Sequence, residues 1–232
     1  MLKRLIYCLL SFFLFASFPL RAQYDFAVKT IRGQMLYYQI LGDGESVRVT
    51  HPEKEWPYYA DNKPVGELFI PDSITYKEKK YSVVEIGSNA FYGCDSLTGV
   101  HQVSVRRIGT QAFCGCTSLK TFVFGGYHLL GRSPEEECDV YYLQSIGEGA
   151  FAYCRSLLFV TLPGTLKHIG ISSFSMCTGL QEVLAHPNVE RLCDATTFYG
   201  CPLMKEGKNR KKLETGWLFW SEKNNIDEKI SR

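Results

Sequence analysis

Apolar and polar positions recur along this chain in one frame. Between Ile146 and Cys177 the apolar members are Ile146, Phe151, Cys154, Leu157, Val160 and Leu162, and the pattern restarts at Ile169 with Phe174, Cys177 and Leu180. The same frame stands upstream at Ile86, Phe91, Cys94 and Leu97, and again at Ile108, Phe113, Cys116 and Leu119. A worn copy follows at Phe198, Cys201 and Met204. The frame phenylalanines fall at 91, 113, 151, 174 and 198, in steps of 22, 38, 23 and 24. Three steps agree, and the long one is one repeat plus about 15 inserted residues, so the chain reads as a stack of repeats.

Within a repeat the pattern predicts local structure. In Leu157–Leu162, Leu157, Val160 and Leu162 point inward while Phe159 and Thr161 face outward, the alternation of a half-buried strand. Pro163-Gly164 ends that strand. The Ile-Gly pair predicts a turn in which glycine tolerates backbone geometry closed to other residues. Ala-Phe-x-x-Cys predicts a short helical turn on the far side, with alanine small enough for close stacking. The frame phenylalanines then form an aromatic column.

The frame, Ile-Gly-x-x-Ala-Phe-x-x-Cys-x-x-Leu-x-x-Val-x-Leu-Pro, resembles the BspA-like leucine-rich repeats of bacterial surface and secreted proteins. The third copy matches it throughout, from Ile146, Gly147, Ala150 and Phe151 to Val160, Leu162 and Pro163. A half-copy, Leu68–Ile74, extends the match toward residue 65. Departures fall at Gln102 and Val103 (for Leu-Pro), at Ser173 (for Ala) and at Leu192-Cys193 (for Ile-Gly). The fold class this implies is an α/β-type repeat solenoid. It has a parallel β-sheet on one face, short helical turns on the other and a β-rich N-terminal cap.

Outside the repeats the chain divides further. Residues 1–22 read as a signal peptide: Lys3 and Arg4, an apolar run Leu5–Phe18, then Leu20-Arg21-Ala22 before a cut ahead of Gln23. Its core is too short for a transmembrane helix, which needs about 20 residues. Residues 23–82 read as the cap with the first half-repeat. Met35–Leu41 and Ser46–Thr50 predict a hairpin around Gly42–Glu45. Trp56, Tyr58 and Tyr59 read as packing beneath that cap, with a carbohydrate platform as the other reading. Residues 83–204 carry the repeats, interrupted at 125–145 by an insertion with Glu135-Glu136-Glu137 and Val140–Leu143. The insertion reads either as a tolerated surface loop or as the border of a binding face. Residues 205–232 form a C-terminal cap or tail, in which Trp217–Trp220 covers the last rung, docks a partner or touches a membrane.

Charge and cysteine then narrow the picture. Lys3, Arg4 and Arg21 leave with the leader, which takes 26 basic residues to 23 against 24 acidic ones, a net of −1. That balance points to no nucleic-acid partner. Nine cysteines become eight when Cys8 leaves. In an exported protein this invites disulfides. Five of the eight, Cys94, Cys116, Cys154, Cys177 and Cys201, share one inward frame position, so a ladder of buried free thiols is the reading. Cys114–Cys138 stands as a separate candidate bridge.

No nucleophile elbow, zinc-protease, P-loop or dinucleotide motif occurs. The five histidines are scattered, so neither catalytic residues nor metal ligands are expected, and no cofactor. The resemblance implies a secreted or cell-surface protein acting in protein recognition or adhesion. The alternatives are a structural or assembly component of the envelope and a carbohydrate-binding accessory protein. The expected localisation is exported: extracellular, cell-surface or periplasmic. The expected partner is an extracellular or cell-surface protein, host matrix included, with a glycan second and no membrane span once the leader is cut. The expected binding positions are Phe69, His101, Val123, Phe159, Thr161 and Leu184 on the outer strand face, joined by Tyr141 and Tyr142 of the insertion.

Overall fold

The computed structural model describes residues 23–30, 32–102, 105–124, 143–202, 210–212 and 218–221, and for 123, 124, 210–212 and 218–221 the backbone alone. The first strands are β1 (Phe26–Lys29), β2 (Met35–Ile40), β3 (Ser46–Thr50), β4 (Gly66–Phe69), β5 (Ser73–Tyr76) and β6 (Lys79–Ile86). The repeats supply β7 (Leu97–Gln102), β8 (Arg107–Ile108), β9 (Thr121–Phe124), β10 (Ser145–Ile146), β11 (Phe159–Leu162), β12 (His168–Ile169) and β13 (Glu182–Ala185). Two more, β14 (Arg210–Lys212) and β15 (Leu218–Ser221), follow.

Each repeat, or rung, contributes two strands. Its leucine strand joins the parallel ladders β4-β7-β9 and β11-β13. Its Ile-Gly segment joins a second parallel ladder, β6-β8-β10-β12. The expected Ile-Gly turn is therefore a two-residue strand, and parallel sheet lies on two faces. The N-terminal strands extend the second ladder. β1, β2 and β3 pair antiparallel in sequence, and β3 then pairs parallel with β6. On the other ladder β15 pairs antiparallel with β13, and β14 with β15.

The glycine of the Ile-Gly pair has a different role from the one its sequence suggests. The frame glycines 87, 109, 147 and 170 keep ordinary negative φ. What they permit is contact. A Cβ on Gly147 would lie 2.5 Å from the Thr110 nitrogen and 2.6 Å from the Gly109 carbonyl carbon, both backbone of the preceding rung. Gly109 and Gly170 repeat this at 2.4 and 2.3 Å from Ser88 N and Glu148 N. The left-handed positions come later in the rung, at Asn89, Gln111, Gly149 and Ser172, and again at Gly93, Gly115, Tyr153, Met176 and Gly200. Two such residues per rung break any right-handed run. The far side consequently closes by i→i−3 bonds, such as Ala150 N–H to Gly147 O and Cys154 N–H to Phe151 O, without lengthening into helix.

That turn side is also bonded from rung to rung. Phe91, Phe113 and Phe151 each donate an N–H to residue 112, 150 or 173 of the next rung at 2.7 Å. The rings stack parallel in one column, Phe91-Phe113-Phe151-Phe174-Phe198, with centroids 5.1–5.3 Å apart. Ile86, Ile108, Ile146, the frame alanines, the leucines and Val100, Val160 and Val183 fill the rest of the core. Gln102, in the place of the frame leucine, is buried too, and its amide oxygen accepts from Val105 N–H at 3.1 Å. The only helix among the described residues is a 3-10 turn, Pro187–Leu192; none is long and apolar enough to cross a membrane. It takes the place where the worn fifth copy has Leu192-Cys193 for Ile-Gly.

The five frame thiols are buried and unpaired by disulfides. Cys116, Cys154, Cys177 and Cys201 each donate to the carbonyl of the preceding rung's phenylalanine, at 3.1–3.2 Å. Burial pushes the Cys94 thiol up to about 12. It also raises Cys116 and Cys154, while contact with Cys201 and burial raise Cys177. Cys138 lies outside the described residues, and Cys114 is a buried free thiol.

Three substitutions test this packing. Phe151→Ala removes a ring stacked on both faces and should cost about 3–5 kcal/mol in denaturant unfolding. Gly147→Ala forces backbone apart and should cost about 1–3 kcal/mol. Thr161→Ala, on the outer face, should stay within about 0.5 kcal/mol. Equal losses for all three would overturn the assignment of frame and outer positions.

The thiols carry a second expectation. A thiol reagent should leave Cys94, Cys116, Cys154 and Cys177 unmodified in the native protein and label all four after denaturation. Because their folded pKa values lie above the ordinary 9.0, the stabilisation is fully present below that pH and is lost as pH rises toward 12. Thermal midpoints should therefore fall through this alkaline window. A disulfide mapped to any of the four would contradict the ladder.

Candidate functional site

Two surfaces cross the rungs, one on each ladder. On the leucine strands the residues between inward-facing core positions stand in register: Phe69 beside His101 beside Val123, and Thr161 beside Leu184. Phe159, Thr161 and Leu184 are half-buried, as expected of outward positions on a packed sheet. The two halves of this strip are separate ladders among the described residues, linked at their base by Leu158 N–H to Lys120 O at 3.2 Å. Only the backbone of Val123 is described, and Tyr141 and Tyr142 lie outside the described residues.

The upstream half of the strip is occupied by its own neighbours. The Phe69 ring carries the Arg32 guanidinium 4.1 Å from its centroid. The His101 ring stacks on it at 4.4 Å and 4°. His101 Nε2 in turn lies 2.7 Å from the Glu67 carboxylate, which covers Gly99. Sequence reading placed Phe69 and His101 on this face but had no means of finding Arg32, which arrives from the β1–β2 connection. Trp56 departs from its expected packing role: it is 71% exposed, whereas Tyr59 is buried with its hydroxyl donating to Ala90 O at 2.8 Å. Tyr58 is partly buried, between His51 and Tyr92.

On the second ladder lies a groove of about 570 Å³ that crosses four rungs. Its walls are the residues on either side of each Ile-Gly pair. Glu85, Arg107, Ser145 and His168 form one wall, and Ser88, Thr110, Glu148 and Ile171 the other. The bare backbone of Gly109, Gly147 and Gly170 runs between them. Glu85 is buried, and Arg107 meets one of its carboxylate oxygens through Nε at 3.0 Å and Nη2 at 2.7 Å. Arg48, in register on β3, reaches the other oxygen at 3.5 Å. Sequence reading passed over these positions because it took the Ile-Gly segment for a turn. The available signal was the run of polar residues just before each frame isoleucine.

Known proteins place this architecture. The family described as BspA type leucine-rich repeat region matches in six copies, over residues 68–129 and 141–215. No curated protein matches the chain. Among solved structures, a leucine-rich repeat protein from Bacteroides ovatus is similar at 28% identity over 69% of this chain and 41% of its own, with a TM-score of 0.43. The T. pallidum leucine-rich repeat protein is similar at 29% identity over 64% and 67%, TM-score 0.42. The pneumococcal vaccine antigen PcpA is similar at 19% identity over 71% and 39%, TM-score 0.48. The chain thus spans well under half the length of the first and third.

The Arg48–Glu85–Arg107 triad yields a direct test. Glu85→Ala leaves two guanidinium groups facing each other. A fully buried pair would lose about 3–5 kcal/mol, but the arginine side chains are 36% and 55% exposed, so about 1–2 kcal/mol is expected. An unchanged unfolding midpoint would show that the triad holds nothing together.

Proposed function

We propose that this chain, which belongs to the BspA type leucine-rich repeat family, is an exported protein that recognises a protein partner through the side chains its solenoid leaves outside the core. The observation that carries the reading is a division of labour within each rung. Frame residues from Ile146 through Phe151, Cys154 and Leu157 to Val160 are fully buried, while Phe159, Thr161 and Leu184 line up half-exposed on adjacent parallel strands. A column fixed by the backbone ladder presents contact area that needs little ordering on binding.

Its size sets a limit. Five rungs at about 4.8 Å by four residues at about 3.3 Å give roughly 300 Å², against about 800 Å² per partner in a standard interface. The partner site therefore takes in a flank. The insertion leaves from the end of β9 and returns just before β10, which makes Tyr141 and Tyr142 the residues proposed to complete it.

Pull-down against matrix proteins and cell-surface extracts identifies the partner, and two variants test the site. Phe159→Ala with Leu184→Ser, and separately deletion of residues 132–139, should each leave the fold intact and weaken binding roughly tenfold, the scale of a modest hot spot. If both bind as tightly as the parent, the strip is not the recognition surface.

A further inference from the structure

The groove on the second ladder has a polarity of its own. At one end a single carboxylate, Glu85, is shared by two arginines, so the Arg48–Glu85–Arg107 triad keeps one net positive charge. Arg107 offers it to solvent with 55% of its side chain exposed. One rung further on and across the groove stands the exposed carboxylate of Glu148. Beside them lie the hydroxyls of Ser145 and Thr110. Arg107 is in register with Ser145, so Glu148 stands three positions along the strand and one rung across, about 10 Å by about 4.8 Å, the reach from the first to the fourth residue of an extended segment.

We propose that this groove seats an extended polypeptide segment with an acidic side chain against Arg107 and a basic one against Glu148. The Thr110 and Ser145 hydroxyls can exchange hydrogen bonds with peptide amides along the middle of the segment, while the glycine N–H groups are already committed to the preceding rung. No Phe, Tyr or Trp is among the residues that line the groove, whose one ring is the His168 imidazole at its far end, so it lacks the broad apolar face on which a sugar ring would stack. Charge complementarity at the two ends fixes the direction and register of the segment, and the exposed setting makes it selective more than tight.

This inference deepens the recognition reading and rests on it, yet the two fail separately. Capture of a partner by the parent chain tests recognition, and the groove is tested with short peptides. The full chain is titrated at low ionic strength with three end-capped peptides, Asp-Ser-Ser-Lys, Asp-Ser-Ser-Asp and Ser-Ser-Ser-Ser, followed by NMR shifts or calorimetry. The parent should prefer the Asp–Lys peptide over the Asp–Asp peptide by roughly two- to fivefold, the range of one exposed ion pair. Glu148→Lys should reverse that preference, while Thr178→Lys, at an exposed turn position outside both surfaces, should leave it unchanged. Both variants are at surface positions, and their unfolding midpoints check that the fold is kept. The proposal is overturned if no peptide binds, if Glu148→Lys does not alter the order, or if Thr178→Lys alters it as much. It is likewise overturned if an anionic oligosaccharide binds in the same groove more tightly than all three peptides.

Discussion

The distance between one rung and the next is the constraint on which the rest of this structure depends. Parallel strands stand about 4.8 Å apart, and the phenylalanine centroids follow at 5.1–5.3 Å. The backbone comes closest at Gly109, Gly147 and Gly170, where a Cβ would be 2.3–2.5 Å from a nitrogen of the preceding rung. Any side chain there would push two rungs apart. The 2.7 Å bonds from the phenylalanine N–H groups and the 3.1–3.2 Å thiol bonds would lengthen together. The glycine of the Ile-Gly pair thus acts through contact, and the left-handed dihedrals fall later in the rung, on Gly93, Gly115, Gly149 and Gly200 but also on Tyr153 and Met176.

The same spacing explains why cysteine suits its frame position. The Phe91, Phe113 and Phe151 carbonyls each already accept one N–H within their own turn, as Phe151 O does from Cys154, and have a second lone pair aimed into the core. A thiol from the next rung meets it with a small, weakly polar donor that costs little to bury. Burial pushes the Cys116 and Cys154 thiols up, which keeps them in the protonated form that alone can donate, while the contact between Cys177 and Cys201 raises the first and lowers the second. Two ordinary consequences of cysteine, reactivity and pairing, are thereby suppressed by the same packing that makes the residue useful.

How much was legible in the sequence follows from how many residues carry each signal. The leucine strand has six positions, enough for the alternation that sets Leu157, Val160 and Leu162 inside and Phe159 and Thr161 outside. The frame phenylalanines and cysteines recur five times each, so their column could be read from spacing alone. The Ile-Gly strand has two residues, too few for any period, and was read as a turn. With it went the groove, because Glu85, Arg107, Ser145 and Glu148 are then merely loop residues. Left-handed Tyr153 and Met176 leave no mark in a sequence, since the mark of that conformation is glycine. The Arg32–Phe69–His101 stack joins residues far apart in the chain, and no local pattern records it.

The two ladders agree on where the surface remains open. Toward the N-terminal end, outward positions are held by internal partners: Arg32, Phe69, His101 and Glu67 on one ladder, Arg48, Glu85 and Arg107 on the other. Both clusters join a strand or connection of the N-terminal hairpins to the first rungs, and so they replace the frame contacts that a preceding rung would have made. At the third and fourth rungs no such partner occupies Phe159, Thr161 and Leu184, or Ser145, Glu148 and His168, among the described residues. A side chain wholly taken up by an internal ion pair or ring stack must give that up before it can bind anything else. The uncommitted ones need not, and Arg107, 55% exposed in a triad that keeps one net positive charge, is only partly committed. On this physical ground the outward side chains that stay available are Arg107 and those of the third and fourth rungs, while the N-terminal clusters tie the hairpins to the first rungs.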